Sequence, residues 1–119
     1  MRYYSIIIPV YNRPDEVDDL LYSLTLQTYT NFEVLIIEDG STVPCETVVQ
    51  RYEKKLKIRY FVIPNGGPSG ARNYGARISE GEYLLILDSD CILPETYLEA
   101  VERSLNETEA DAFGGPDCA

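Results

Sequence analysis

Four short apolar segments alternate with four amphipathic segments along this chain, and this alternation limits the possible folds more than any other sequence feature. The apolar segments run from Tyr4 to Val10, Phe32 to Ile37, Ile58 to Ile63 and Tyr83 to Leu87. They are nearly continuous in apolar residues, which is typical of strands buried on both faces. Helical periodicity is found from Asp15 to Gln27, Glu46 to Lys55, Ser69 to Ser79 and Pro94 to Asn106. This order predicts an α/β fold with a mostly parallel sheet and helices on both faces.

Length and charge narrow the possible functions. The 119 residues suit a single domain, and a fifth strand is expected to begin at Ala112 and Phe113. The formal net charge of −10 opposes binding to nucleic acid or to an anionic membrane surface. No apolar run approaches the roughly 20 residues of a transmembrane helix. The chain has no histidine, so imidazole chemistry is excluded and any metal site must use oxygen ligands.

The cysteines suggest a cellular location. Cys45, Cys91 and Cys118 are odd in number and lack a C-x-x-C spacing, so three free thiols are expected rather than a disulfide framework. Free thiols favour a reducing cytoplasm. Attachment to the inner face of a membrane would require regions outside this chain.

Polar residues follow each predicted strand. Asn12, Asp39 and Asn65 come after the first three strands, and Asp88 and Asp90 come after the fourth. In a parallel sheet these positions lie at one edge, where ligands of open α/β sheets bind. This convergence is the strongest functional signal that the residues themselves give.

The segment Asp88-Ser89-Asp90 places two carboxylates directly after a buried strand. If the chain stays extended, both side chains lean to the same side. Paired carboxylates favour a hard cation, and Mg²⁺ or Mn²⁺ bound together with a diphosphate fits them. The alternative is a polar strand end that leads into a turn.

Four further residues near this edge are candidates for ligand binding or for a structural role. Asp39 is suited to accept a hydrogen bond from a pyrimidine base or a ribose hydroxyl, or else belongs to an ordinary Asp-Gly turn. Arg72 follows a glycine-rich loop at a helix start, where it would contact base or diphosphate, or else fix the loop. Tyr11 is placed to stack on a base, and Asn12 to cap the first helix.

Four motifs in sequence order resemble the family 2 glycosyltransferases of the GT-A fold. They are SIIIPVYN (5–12), EDGS (38–41), NGGPSGARNYG (65–75) and GEYLLILDSD (81–90). Each motif is loose alone, but their order and spacing together are specific. The resemblance implies a Rossmann-like GT-A nucleotide-binding half with strand order 3-2-1-4, and transfer of a sugar from a nucleoside-diphosphate sugar with inversion.

The resemblance also implies roles for individual residues. Asp39 looks like the base-binding aspartate, and Asp88 like a residue near the ribose or sugar. Asp90 looks like the metal ligand, with Asp88 beside it, and Mg²⁺ or Mn²⁺ is the expected cofactor. The other predicted nucleotide-binding positions are Pro9, Val10, Tyr11, Asn65 and Arg72. A common family version carries another Asp where Cys91 stands here, so contacts around the metal ligand are in doubt.

The expected partners are a nucleoside-diphosphate sugar, favoured to be a UDP-sugar, and an acceptor that is a sugar, a lipid-linked sugar or a polysaccharide. The catalytic base is unknown and is expected beyond residue 119, so residues 1–119 are interpreted as a single donor-binding domain that stops before the acceptor-binding region. The exposed edge of the predicted sheet could pair with a second copy of the chain, so a homo-oligomer is one of the expected assemblies. The alternatives are a non-catalytic nucleotide-sugar-binding module and a nucleotidyltransferase, although the latter should carry a glycine-rich, basic loop after the first strand.

Overall fold

The computed structural model describes residues 2–64 and 67–108, which form four strands and four helices in strict alternation. The strands are β1 (Tyr4–Val10), β2 (Phe32–Asp39), β3 (Ile58–Ile63) and β4 (Tyr83–Ile86). The helices are α1 (Pro14–Thr25), α2 (Glu46–Tyr52), α3 (Gly67–Ile78) and α4 (Tyr97–Thr108). All four strands are parallel in the order β3-β2-β1-β4, which confirms the predicted fold class and strand order.

Side chains alternate across the sheet and build two cores. On one face, Ile6, Ile8 and Val10 of β1 join the buried residues of α1, α2 and α4. On the other face, Ile7 of β1 and Leu35 of β2 pack with α3. Because both faces are covered, every residue of β2 is buried. This double coverage explains why β1 and β2 appear in the sequence as nearly continuous apolar runs.

Helix α3 lies unusually close to β1. A Cβ atom added at Gly75 would lie 2.6 Å from Cγ2 of Ile7, so only glycine permits this approach. Ala71 faces the same core and is fully buried. The glycines of α3 weaken the helix by propensity, but at Gly75 the absence of a side chain allows tight contact between helix and sheet.

A buried polar network joins the amino-terminal ends of the strands. The Glu33 carboxylate accepts hydrogen bonds from the Ser5 hydroxyl at 2.6 Å, the Glu80 amide at 2.8 Å and the Arg59 guanidinium at 2.9 Å. Burial alone would raise the pKa of Glu33, but these bonds outweigh burial and lower it. The network ties the α3–β4 connection to β1, β2 and β3, at the edge opposite to the predicted site.

Several boundaries differ from those predicted. Strand β2 continues through Glu38 to Asp39, and α4 begins at Tyr97 rather than Pro94. The fifth strand expected at Ala112 lies outside the described residues. Cys45 is a buried free thiol, but Cys91 is disulfide-bonded, so the expectation of three free thiols is wrong.

No helix in the described part of the chain combines the length and the apolar character that crossing a bilayer requires.

Candidate functional site

A cleft with a volume of about 170 Å³ opens at the carboxyl-terminal edge of the sheet. The residues that line it are Pro9, Val10, Tyr11, Asp39, Arg72, Asp88 and Ser89. Six of these were singled out from the sequence as nucleotide-binding positions, and they come from four separate segments of the chain. The remaining predicted nucleotide-binding residue, Asn65, lies outside the described residues. The structure therefore brings together every predicted nucleotide-binding residue that it describes.

The strand order accounts for the position of the cleft. Strand β1 has β2 on one side and β4 on the other, so the chain reverses its direction of progress across the sheet at β1. The connections after β1 and β4 consequently separate and leave a crevice, which is where open α/β sheets bind ligands. Beyond β4, the Leu87 amide still donates to the Ile7 carbonyl at 3.0 Å and holds Asp88 beside the end of β1.

Asp39 is the last residue of β2 and is only 6% exposed. Gly40 follows it with φ of 71°, a left-handed conformation that favours glycine, and its amide donates to the Ile63 carbonyl at 3.0 Å. The two interpretations of Asp39 are therefore compatible. An Asp-Gly turn ends the strand, and the aspartate side chain still lines the cleft.

Arg72 is the cationic residue among those that line the cleft. Its side chain is exposed, and within residues 2–64 and 67–108 it makes no hydrogen bond or ion pair. The alternative in which Arg72 serves as a structural bond is not supported by any contact in this part of the chain. A guanidinium held beside Asp39 and Asp88 is available to an anionic ligand.

The Asp88-Ser89-Asp90 segment does not stay extended. The Cys91 amide donates to the Asp88 carbonyl at 3.1 Å, so Ser89 and Asp90 occupy the centre of a turn. The expectation that both carboxylates lean to one side of an extended chain is wrong for this reason. Asp88 lines the cleft, whereas Asp90 is exposed and lies outside the lining.

The donor set limits how a metal can bind. Among the described residues there is no group of three or more carboxylate or thiol side chains that could hold a cation alone. Mg²⁺ and Mn²⁺ are commonly held by one or two carboxylates together with substrate phosphates. Asp88 and Asp90 offer two carboxylates for that second arrangement, although only Asp88 lines the cleft.

Ser89 is a residue of the cleft that the sequence did not point to. Its hydroxyl donates to the Glu16 carboxylate at 3.2 Å and so connects the turn after β4 to the first turn of α1. A serine between two aspartates resembles ordinary turn composition. Only the folded structure, which brings the first turn of α1 beside this turn, shows that Ser89 has a specific partner.

Asn12 does not cap α1, contrary to expectation. The residue at the N-cap is Arg13, and no side-chain bond caps the helix. Asn12 instead has φ of 52° and hydrogen-bonds to the connection after β2. Tyr11 precedes it and is 50% exposed at the cleft, as a base-stacking residue must be.

Glu38 points away from the cleft, on the face of α1 and α2. It is fully buried, and its Oε2 accepts hydrogen bonds from the Cys45 amide at 2.6 Å and from the Tyr60 hydroxyl. Burial and the adjacent Glu38 carboxylate raise the pKa of the Cys45 thiol to about 12. The same two causes raise the pKa of Tyr60. Glu38 therefore holds the start of α2 in place and does not line the cleft.

Fold and cleft together define a Rossmann-like α/β domain with a cleft at the carboxyl ends of its strands. The sequence matches the family model described as Glycosyl transferase family 2 over residues 5–116. The chain belongs to glycosyltransferase family 2.

Relatives agree with this assignment. An uncharacterised glycosyltransferase of Haemophilus influenzae is 46% identical over 86% of this chain and 35% of its own length. One from Rickettsia felis is 40% identical over 92% of this chain and 18% of its own. The poly(ribitol-phosphate) beta-N-acetylglucosaminyltransferase TarS of Staphylococcus aureus is 33% identical over 95% of this chain and 20% of its own. The chain thus spans about a third or less of these relatives.

Solved structures support the GT-A fold. A crystal structure of TarS residues 1–349 superposes with a TM-score of 0.84 at 32% identity, covering 90% of this chain and 33% of that one. The same region of TarS has been solved in complex with UDP-GlcNAc. A Pyrobaculum calidifontis mannosyltransferase, solved with GDP-Man and Mn²⁺, has a TM-score of 0.72 at 24% identity over 78% of this chain and 29% of its own. At that identity it supports the fold alone.

Proposed function

We propose that this chain is the donor-binding portion of an inverting glycosyltransferase that uses a nucleoside-diphosphate sugar, with a UDP-sugar favoured, and a divalent cation. The observation that carries the proposal is the convergence of Pro9, Val10, Tyr11, Asp39, Arg72 and Asp88 on one cleft. Family membership and a UDP-GlcNAc complex of the related TarS agree with it. The acceptor hydroxyl belongs to a sugar, a lipid-linked sugar or a polysaccharide.

The nucleoside would bind at the β1 and β2 side of the cleft. Tyr11 is half-exposed and lines the cleft, so its ring would be accessible for stacking on a base. Asp39 offers a carboxylate to an imide N–H of the base or to a ribose hydroxyl. Pro9 and Val10 supply an apolar floor. Such a pocket combines apolar surface with few polar groups that fix orientation, as small-ligand sites do.

The diphosphate would bind toward Arg72 and the turn after β4. Arg72 brings one positive charge, whereas Asp39 and Asp88 bring two carboxylates to the same cleft. An added diphosphate would increase this negative charge further, so the arrangement requires a counter-cation. Mg²⁺ or Mn²⁺, held by Asp90 and Asp88 and by diphosphate oxygens, would supply charge neutralisation of the leaving group.

The proposed reaction is a direct displacement. The acceptor oxygen forms a bond to the anomeric carbon while the bond from that carbon to the diphosphate oxygen breaks, which inverts the configuration. The bonding pair leaves with the nucleoside diphosphate, and the acceptor proton goes to a general base. Arg72 would stabilise the charge that develops on the leaving diphosphate.

Calorimetric titration of UDP, GDP and dTDP, with and without Mn²⁺, tests the proposal. We expect UDP to bind only when Mn²⁺ is present. Both Asp39→Asn and Asp90→Ala should weaken binding about 10- to 100-fold, because each removes one or more charged contacts. Asp19→Asn, on the exposed face of α1, is the matched control and should bind as the unaltered chain does. Equal binding of UDP with and without metal would contradict the cation requirement.

A further inference from the structure

We propose that Asn12 is a positioning residue that holds the connections after β1 and β2 together and thereby fixes the nucleoside half of the cleft. The inference rests on the proposed function, since it concerns how that same cleft is shaped. Asn12 directly follows Tyr11, and the segment it contacts directly follows Asp39 and Gly40. One residue therefore links the two sides between which a base would lie.

The hydrogen bonds of Asn12 cross between the two connections. Its Oδ1 accepts from the Thr42 amide at 2.8 Å, the Val43 amide at 2.9 Å and the Thr42 hydroxyl at 3.3 Å. Its own amide donates to the Ser41 hydroxyl at 3.0 Å. Four bonds from one asparagine to three consecutive residues leave little freedom for one connection to slide past the other.

The backbone of Asn12 supports the same conclusion. Its φ of 52° lies in the left-handed region, which costs most non-glycine residues free energy but is tolerated best by asparagine. The conformation turns the Asn12 side chain toward residues 41–43 instead of toward α1, where it would have been a helix cap. Strained conformations of this kind persist when surrounding contacts fix them.

The rest of the 40–45 segment is held independently of Asn12. At one end the Gly40 amide bonds to the Ile63 carbonyl, and at the other the Cys45 amide bonds to the buried Glu38 carboxylate. Removing the Asn12 side chain should therefore loosen the middle of the segment without releasing its ends. The expected damage is local, to the pocket, and not to the fold.

Three substitutions at Asn12 distinguish the effect of its hydrogen bonds on UDP binding from the effect of its backbone conformation. Asn12→Ala removes the acceptor and keeps the unfavourable φ, whereas Asn12→Gly removes the acceptor and relieves the backbone. Asn12→Asp keeps an acceptor oxygen at the same reach. We expect UDP affinity in the presence of Mn²⁺ to fall about tenfold in both Ala and Gly variants, and to stay within about threefold in the Asp variant. Asn106→Ala, at the opposite edge of the sheet, removes a comparable acceptor and should change nothing.

Inorganic pyrophosphate with Mn²⁺ supplies a readout that a general loss of structure would not give. If Asn12 positions the nucleoside side, pyrophosphate affinity should be unchanged in Asn12→Ala while UDP affinity falls. Equal UDP affinity in the Ala variant and the unaltered chain would overturn the inference and leave the proposed function standing. If the unaltered chain binds no UDP, the proposed function fails instead. Amide exchange then decides the inference, because unchanged protection of Thr42 and Val43 in Asn12→Ala would overturn the positioning role.

Discussion

Glu33→Gln gives a sharp test of how this fold is held together at the edge away from the cleft. The Glu33 carboxylate is fully buried and receives bonds from Ser5, Glu80 and Arg59. In the least costly arrangement, the glutamine carbonyl keeps the Ser5 and Glu80 donors. Its amide group, which cannot accept a bond, then faces Arg59. The substitution therefore removes the charged bond to Arg59 and weakens the other two.

The magnitude follows from the surroundings of Arg59. Hydrogen bonds to charged groups contribute about 1.5–3 kcal/mol, and breaking a fully buried ion pair costs about 3–5 kcal/mol. The Arg59 side chain is 30% exposed and keeps a 2.8 Å bond to the Ile78 carbonyl, so it is partly compensated by water and backbone. We expect Glu33→Gln to lower the free energy of unfolding by about 2–3 kcal/mol. Urea denaturation with an unchanged slope measures this difference.

Glu80→Gln is the matched control, because Glu80 pairs with the same Arg59 at 3.5 Å but its side chain is 59% exposed. Exposed pairs contribute about 0–1 kcal/mol, so the control should be nearly neutral.

The pH dependence of the free energy of unfolding provides a second check. The pKa of Glu33 lies below its ordinary value of 4.5, so its contribution is present above that value and is lost as the pH falls through the lowered pKa. Equal effects of the two substitutions, or a Glu33→Gln effect that persists unchanged in strong acid, would refute the reasoning.

Two further predictions concern packing and thiol chemistry. Gly75→Ala should destabilise the chain by about 1–2 kcal/mol, because the cost of the overlap between the new methyl and Ile7 exceeds the gain in helix propensity. In the same helix, a methyl at Gly70 meets no atom within 4 Å, so Gly70→Ala should be neutral or stabilising by up to about 1 kcal/mol. Thermal unfolding of both variants measures this contrast, and equal shifts would contradict it. Cys45 should resist iodoacetamide at pH 8 while the chain is folded, since burial and the neighbouring Glu38 raise its pKa to about 12. Peptide mass spectrometry quantifies the labelling, and rapid modification without unfolding would count against the buried thiol.

Much of the fold could be predicted from the sequence because the two inner strands, β1 and β2, are buried on both faces. The bounds of β1 and β3 agree with the apolar runs from Tyr4 to Val10 and from Ile58 to Ile63. The periodicity locates all four helices, with ends that differ from the observed ones by at most three residues. Once a parallel sheet is accepted, the meeting of strand ends at one edge follows from geometry, which is why Asp39 and Asp88 were identified together.

The side-chain contacts of Asn12 and Glu33, which sequence reasoning missed, join segments that are distant in the chain. Asn12 looked like a helix cap because its neighbours form a helix start, and nothing local indicates that Thr42 and Val43 are its partners. Glu33 stands within an apolar strand, where only the arrival of Ser5 and Arg59 makes a charge acceptable. Periodicity and spacing report on local structure, and such pairings are decided by tertiary packing.

The central place of β1 has a consequence for biosynthesis. During translation, β2 can pair with β1 soon after it emerges, but β4 begins about 70 residues after β1 ends, which at ordinary elongation rates is a delay of roughly 4 to 15 s. Throughout that interval the side of β1 that later pairs with β4 has no hydrogen-bonding neighbour. A nascent polypeptide with this topology should therefore be a good client for ribosome-associated chaperones until β4 is made.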